Sequence, residues 1–347
     1  MTSVAASPAA EHGVLAPRAV PRARRGAVLI VVLAGVALFG IAFASLMFGA
    51  VDLSAGQVVS GFTSSSDLFA RNVVWEIRYP RLLDAMVVGA SLAVAGALLQ
   101  GVTRNPLADP TIFGISAAAA LASTAVLVFD RTVAPWVVTL CAVGGGLAGA
   151  GILFVIAWRG VVSAVRLALA GVAMSAFFGA IMVGLLASSS TFLQTSLGFL
   201  TGGLYGADWN DFHAALPYLI PALGIAFLLS GRLNILALGD DVAAGLGVRT
   251  DRTRLLVLAV AGVLTAVSVS IAGLVSFVGL LCPHLARFTV GSDNRYLIPV
   301  SGLYGALLVS GGDLLARLVI RPSEIPMGII TAAVGAPFLL YLVRFRS

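Results

Sequence analysis

The charged residues of this chain are few, and their types restrict its chemistry. Lys and Arg together number 21 of 347 residues, and every one is arginine. A phosphate-binding loop needs a lysine on the nucleotide phosphates and Schiff-base mechanisms need an amine, so a Walker-type ATP site and lysine-dependent covalent catalysis are excluded. Any ATP-driven work, with its ATP and magnesium, belongs to a partner. His12, His213 and His284 are scattered. Cys141 and Cys282 fall about 140 residues apart inside apolar runs, which is neither a zinc spacing nor a disulfide framework. No cofactor or metal is expected on this chain. Polar residues concentrate instead in 231–254, where Asp240 and Asp241 open a short segment that Gly247 closes. Carboxylates suit the positive end of a helix and glycine its C-terminus, so these residues predict a surface helix of about two turns. Its functional reading is a docking element for a cytoplasmic partner, and its plain alternative is an amphipathic connector.

The elements that must position these residues follow from composition. Apolar residues make up 59% and charged residues 10%, against about 45–50% and about 25% in soluble domains, so the chain reads as an all-α polytopic membrane protein. Residues 1–26, rich in Ala, Pro and Arg, read as a disordered cytoplasmic tail, and 27–347 as one transmembrane domain. Candidate spans fall at 27–51, 82–102, 111–129, 134–158, 166–188, 213–231, 255–273, 274–290, 296–316 and 325–343, each near the ~20 residues that cross a bilayer. Spans seven and eight divide one long uncharged stretch, bent at Gly273. Ten spans put both termini on one side. That side carries 15 of the arginines and the other 6, which places both ends in the cytoplasm.

Span interiors are nearly free of ionisable groups. Asp84 and Asp313 lie near outer span ends and read as interfacial or loop-bonded carboxylates. This pattern argues against an ion-coupled secondary transporter, which keeps acids at mid-membrane, and against a membrane enzyme, which needs a catalytic cluster. Asn105, Pro106 and Asp109 predict a tight link between spans two and three. Pro283 and His284 read as helix-end residues, the proline freeing a backbone bond and the histidine able to restore one.

Several strings, in order along about residues 27–344, resemble the FecCD-type permeases of bacterial ABC importers for iron-siderophores, haem and cobalamin. They are Arg-Tyr-Pro-Arg at 78–81, Gly-Ala-Ser-Leu-Ala-Val-Ala-Gly-Ala-Leu-Leu-Gln at 89–100 with Asn-Pro-Leu-Ala-Asp-Pro at 105–110, and Leu-Ala-Leu-Gly at 236–239 with Ala-Ala-Gly-Leu-Gly-Val at 243–248. Ser-Phe-Val-Gly-Leu-Leu-Cys-Pro-His-Leu-Ala-Arg at 276–287 and Glu-Ile-Pro-Met-Gly-Ile-Ile-Thr at 324–331 complete the set. Two departures are alanines in place of glycine within 115–120 and Cys282 where an aliphatic residue is usual.

The resemblance implies a ten-helix permease subunit whose pathway forms with a second permease subunit, identical or related. It further implies two cytoplasmic ABC ATPase subunits, an extracytoplasmic substrate-binding protein and no nucleic-acid partner. Coupling to the ATPases would run through Gly239, Asp240, Asp241, Val242, Ala243, Leu246 and Gly247. Arg78, Arg81 and Arg317 match positions that meet acidic residues of the binding protein, a role that charge-assisted arginine bonds suit, although arginine at a helix end also anchors to lipid headgroups. The segment Thr191 to Trp209 resembles a short helix beside the translocation path. Thr191, Gln194, Thr195 and Ser196 are its expected lining, with a plain outer loop as the alternative. The resulting expectation is an inner-membrane permease that imports a ferric siderophore, with haem or cobalamin as alternatives and a secondary transporter as the rival from another class.

Overall fold

The computed structural model describes residues 22–63, 67–130, 132–159, 161–162, 164–187, 199–321 and 323–346. Helix α1 (Arg22–Met47) is followed by the short α2 (Ala55–Thr63) and α3 (Leu68–Arg71), and a π-helical turn, Asn72–Arg78, joins α3 to α4 (Tyr79–Thr103). Next come α5 (Ile115–Phe129), α6 (Pro135–Ala157) and α7 (Ala164–Ala187), the last two separated by a two-residue antiparallel pair, Trp158–Arg159 with Val161–Val162. The chain continues through α8 (Trp209–Leu236), the short α9 (Asp240–Gly245), α10 (Thr250–Ala272), α11 (Val278–Val290), α12 (Asn294–Leu318) and α13 (Met327–Arg346).

Among the described residues seven helices are long and apolar enough to cross a membrane, and α5, α11 and residues 327–341 of α13 are shorter apolar helices. The protein is therefore a multi-pass membrane protein. The short helices have local causes. Residues 105–114 are held by a turn built on Asp109, so α5 begins at Ile115 rather than 111. Gly273, at φ 68°, ends α10 where the bend was expected. The following residues stay out of helix until Phe277, itself at φ 68°, starts α11. At the N-terminus the helix already begins at Arg22, inside the expected tail, whose residues 1–21 lie outside the described residues.

α4 is the centre of the bundle, with 83% of its most apolar window buried, against 6% for α1. Lipid offers no hydrophobic force between helices, so close backbone approach must hold them, and glycine permits it. A Cβ on Gly89 would stand 2.1 Å from the Gly305 carbonyl oxygen of α12, and one on Gly96 would stand 1.9 Å from that of Gly279 in α11. α4 thus lies flush against the two helices that carry the most distant of the sequence motifs.

Candidate functional site

The bundle has two polar ends. At one end Gly239, at φ 118°, starts α9 and Gly247, at φ 79°, stops it, both in conformations that glycine adopts without strain. The Val248 amide closes the turn by donating to the Ala243 carbonyl at 2.9 Å. Ala243 is wholly buried and seats α9 on the bundle. Asp240 faces the protein: Arg254 donates to both of its oxygens at 2.9 Å, and Arg104 donates to Oδ1. Burial pushes the Asp240 carboxyl up, but the bonds and charges of Arg254 and Arg104 outweigh it and hold the group below the ordinary range. Arg104 also donates to the Leu236 carbonyl at 2.9 Å, so the ends of α4 and α8 and the start of α10 are tied to α9 through one carboxylate. What remains outside is apolar. Leu238, Val242 and Leu246 are 63%, 49% and 61% exposed, with Asp241 exposed beside them. The structure thus divides the expected coupling residues into an inward clasp, Asp240 and Ala243, and an outward knob, Asp241, Val242 and Leu246.

The motifs at 105–110 and 276–287 meet just inside this end. The Leu107 amide donates to Asn105 Oδ1 at 2.9 Å, beside Pro106, which forms the tight turn expected. Asp109 is buried and accepts from the Thr111 amide at 2.8 Å, from the Thr111 hydroxyl and from the Leu280 amide of α11. Burial nonetheless raises its carboxyl above the ordinary range. Gln100 completes the join by accepting from Arg287 at 3.1 Å and donating to the Gly279 carbonyl at 3.3 Å. Pro283 is buried in α11, and the His284 ring meets Phe288 and Phe338 edge-on at 4.7 and 5.8 Å, which binds α11 to α13. Pro283 and His284, expected at a helix end, stand inside α11 instead, and the His284 ring packs on aromatic neighbours. Gln100, Arg104, Arg254 and Arg287 were not singled out from the sequence. Each has a partner 14 to 187 residues away, and only polar positions near helix ends marked them, with Gln100 and Arg287 also closing the strings at 89–100 and 276–287.

At the opposite end Arg78, Arg81 and Arg317 all turn inward. Arg78 is 6% exposed and donates to the Leu46 and Met47 carbonyls at 2.6 and 2.8 Å and to Val51, satisfying orphaned acceptors at the end of α1. Arg81 forks onto two acids, with Nη2 2.8 Å from Asp313 and 2.9 Å from Glu324. Arg317 pairs with Asp313 at 3.1 Å and reaches the Ser45 and Phe48 carbonyls. Charges that do face outward at this end include Arg71, Glu76, Asp130 and the Asp52–Arg321 pair at 3.0 Å. Asp313 is therefore paired by two arginines. Asp84 is different: it is wholly buried in α4, and neither carboxylate oxygen has a hydrogen-bond partner among the described residues.

Thr191, Gln194, Thr195 and Ser196 lie outside the described residues. The chain that follows them is well seated. The Leu274 amide donates to the Phe199 carbonyl and Gly203 to Ala272, both at 2.9 Å, and Gly328 donates to Gly202 at 3.0 Å. Residues 199–203 are thus wedged between the end of α10 and the start of α13. Among the described residues no group of three or more His, Cys, Asp or Glu is placed to hold a metal ion.

The FecCD transport family matches residues 30–345. The Fe(3+) dicitrate transport system permease protein FecD of Escherichia coli is 39% identical over 320 residues, covering 92% of this chain and 99% of that protein. The cobalamin import system permease protein BtuC of Halobacterium salinarum is 41% identical over 279 residues, 80% of this chain and 75% of its own length. A solved inward-facing conformation of a metal-chelate type ABC transporter superposes with a TM-score of 0.80 at 31% identity, covering 91% of this chain and 99% of that one.

Proposed function

The chain belongs to the FecCD transport family, and from that premise we propose that it is a transmembrane permease subunit of an ABC importer for ferric siderophores. In this reading it sits in the cytoplasmic (inner) membrane with the α9 end and both termini inside, where most of the arginines lie. It forms the pathway with a second permease subunit, identical or related. An extracytoplasmic binding protein delivers the chelate, and two cytoplasmic ATPases with ATP and magnesium supply the energy that a lysine-free chain does not.

The observation that carries the reading is the divided α9. Its outward knob of Val242 and Leu246, with Asp241 beside them, suits a cleft on an ATPase, since exposed apolar side chains gain free energy when a cleft takes them out of water. Its inward clasp, Asp240 on Arg254 and Arg104, supplies a rigid path to α10 and α4. A push on α9 is thereby delivered to the central helix of the bundle. At the other end Arg78, Arg81 and Arg317 act in docking by fixing the loops that the binding protein rests on. Thr191, Gln194, Thr195 and Ser196 remain the proposed lining of the path, where uncharged side chains suit a bulky substrate that arrives already chelated.

Cobalamin is the second reading, favoured by the 41% identity to the cobalamin import permease. Uptake of radio-iron from several ferric siderophores and haem, with labelled cobalamin in parallel, in an iron-starved strain lacking only this chain decides the substrate. Loss of one siderophore's iron uptake, restored by the gene, is the expected result. Loss of cobalamin uptake alone selects the second reading, and unchanged uptake throughout overturns both.

A further inference from the structure

α1 is the least covered of the long helices, and two apolar cavities run beside it. One, of about 760 Å³, is bounded by Val28 and Val32 of α1 and by Tyr296 and Val300 of α12. The other, of about 700 Å³, lies deeper, between Ala34 and Ala37 of α1 and Leu308 and Gly311 of α12, and also touches α11 and α13. Tyr296, Val300, Tyr304, Leu308 and Gly311 are three or four residues apart, so one face of α12 carries both cavities end to end. From Tyr296 to Leu308 the helix rises about 18 Å, close to the ~15 Å half-thickness of a bilayer's hydrocarbon core.

The shallow cavity opens at the α9 end. Asn234, near the end of α8, donates to Asp293 at 2.6 Å, one turn before Tyr296. Arg295 is exposed there beside Tyr296, and in the sequence Arg22, Arg24 and Arg25 directly precede Ala27 and Val28 of the cavity wall. Space at membrane depth between helices, with walls almost entirely apolar, offers nothing to a polar ligand, whereas a flexible hydrocarbon chain fills it without leaving hydrogen bonds unmade. A basic cluster at the water boundary of such a space adds selectivity for a negative headgroup.

We propose that this groove binds one anionic phospholipid of the α9-side leaflet, an acyl chain lying between α1 and α12 and the phosphate meeting the arginine-rich mouth. The site accounts for a spanning helix that packs so little protein against itself: lipid completes its contact with α12. Guanidinium groups bind phosphate through paired donors, so charge and not chain length sets the preference.

The test is native mass spectrometry of the intact transporter, this chain with its partner subunits, in mild detergent with phosphatidylglycerol or phosphatidylcholine of matched chains. Wild type retains one phosphatidylglycerol in preference to phosphatidylcholine by at least about tenfold. The double substitution Val28→Trp with Val300→Phe, which fills the shallow cavity, abolishes retention of both lipids. Because filling a cavity can also disturb folding, a second variant carries Arg24→Gln, Arg25→Gln and Arg295→Gln, and it retains the two lipids equally. Equal retention of both lipids by wild type, or wild-type preference in the arginine variant, overturns the proposal.

Discussion

Asp240 and Arg254 are joined by two hydrogen bonds of 2.9 Å each, one to either carboxylate oxygen, across the junction of α9 and α10. Arg104, from the end of α4, shares the same carboxylate. Asp240→Ala should therefore loosen α9 from both helices. Arg254 is buried while Asp240 is about one-third exposed, so the loss sits between the surface and buried limits, at about 1–2 kcal/mol. Import falls while the chain still inserts and binds its partners, which uptake and co-purification measured together report. Because the folded carboxyl is held below its ordinary value, the clasp is fully formed above the unfolded value near pH 4 and is lost only as pH falls through the lower folded value. Stability followed from pH 7 to 5 should show no pH dependence from Asp240, whose contribution is constant there, and the wild-type advantage over Asp240→Asn should shrink only below about pH 4.

Arg81 neutralises Asp313 and Glu324 together. Arg81→Ala leaves a buried carboxylate, Asp313, with Arg317 alone, a break that costs about 3–5 kcal/mol at buried pairs and somewhat less here because Glu324 reaches water. Arg81→Lys restores the charge without the fork and recovers only part of the loss. Thermal unfolding in detergent, compared among the three forms, tests both statements.

Gly89 and Gly144 make a matched pair. A methyl group at Gly89 collides with the Gly305 backbone at 2.1 Å, whereas one at Gly144 meets nothing within 4 Å. Gly89→Ala should separate α4 from α12 and destabilise by about 1–3 kcal/mol or more, while Gly144→Ala is neutral or slightly stabilising. Yield and melting temperature of the two purified variants distinguish them.

Asp84 has no hydrogen-bond partner on either oxygen among the described residues. An unpaired buried polar group costs stability, so Asp84→Leu should raise the melting temperature, by an amount corresponding to about 1–3 kcal/mol. A fall in melting temperature would show that the carboxylate makes a contact essential to the fold.

How much of this was legible in the sequence depended on whether the signal was local. Apolar run lengths located the spans, and Gly273 located the bend, because a left-handed C-terminal residue is a property of one position. Asn105 and Asp109 announced a turn for the same reason. Direction was not legible. Arg78, Arg81 and Arg317 sit at helix ends whichever way they point, and only the acceptors at Leu46, Met47, Asp313 and Glu324 turn them inward. Likewise Asp240 and Asp241 are neighbours of identical type, and the clasp selects Asp240 because Arg104 and Arg254 approach from helices distant in sequence. The shortness of α11 was hidden too, since Leu274, Val275 and Phe277 make its irregular approach as apolar as the helix itself.

In the proposed function, energy enters this chain through the knob of α9. The most direct test is ATP-dependent uptake of the ferric chelate into proteoliposomes holding the complete transporter, with wild-type chain or with Val242→Ser and Leu246→Ser together. Both residues are exposed, so the fold should be retained and melting should be unchanged. Uptake should need ATP in wild type and be lost in the variant, with the ATPases detached from the permease or turning over without transport. Wild-type uptake rates in the variant, or uptake in the absence of ATPase subunits, would contradict it.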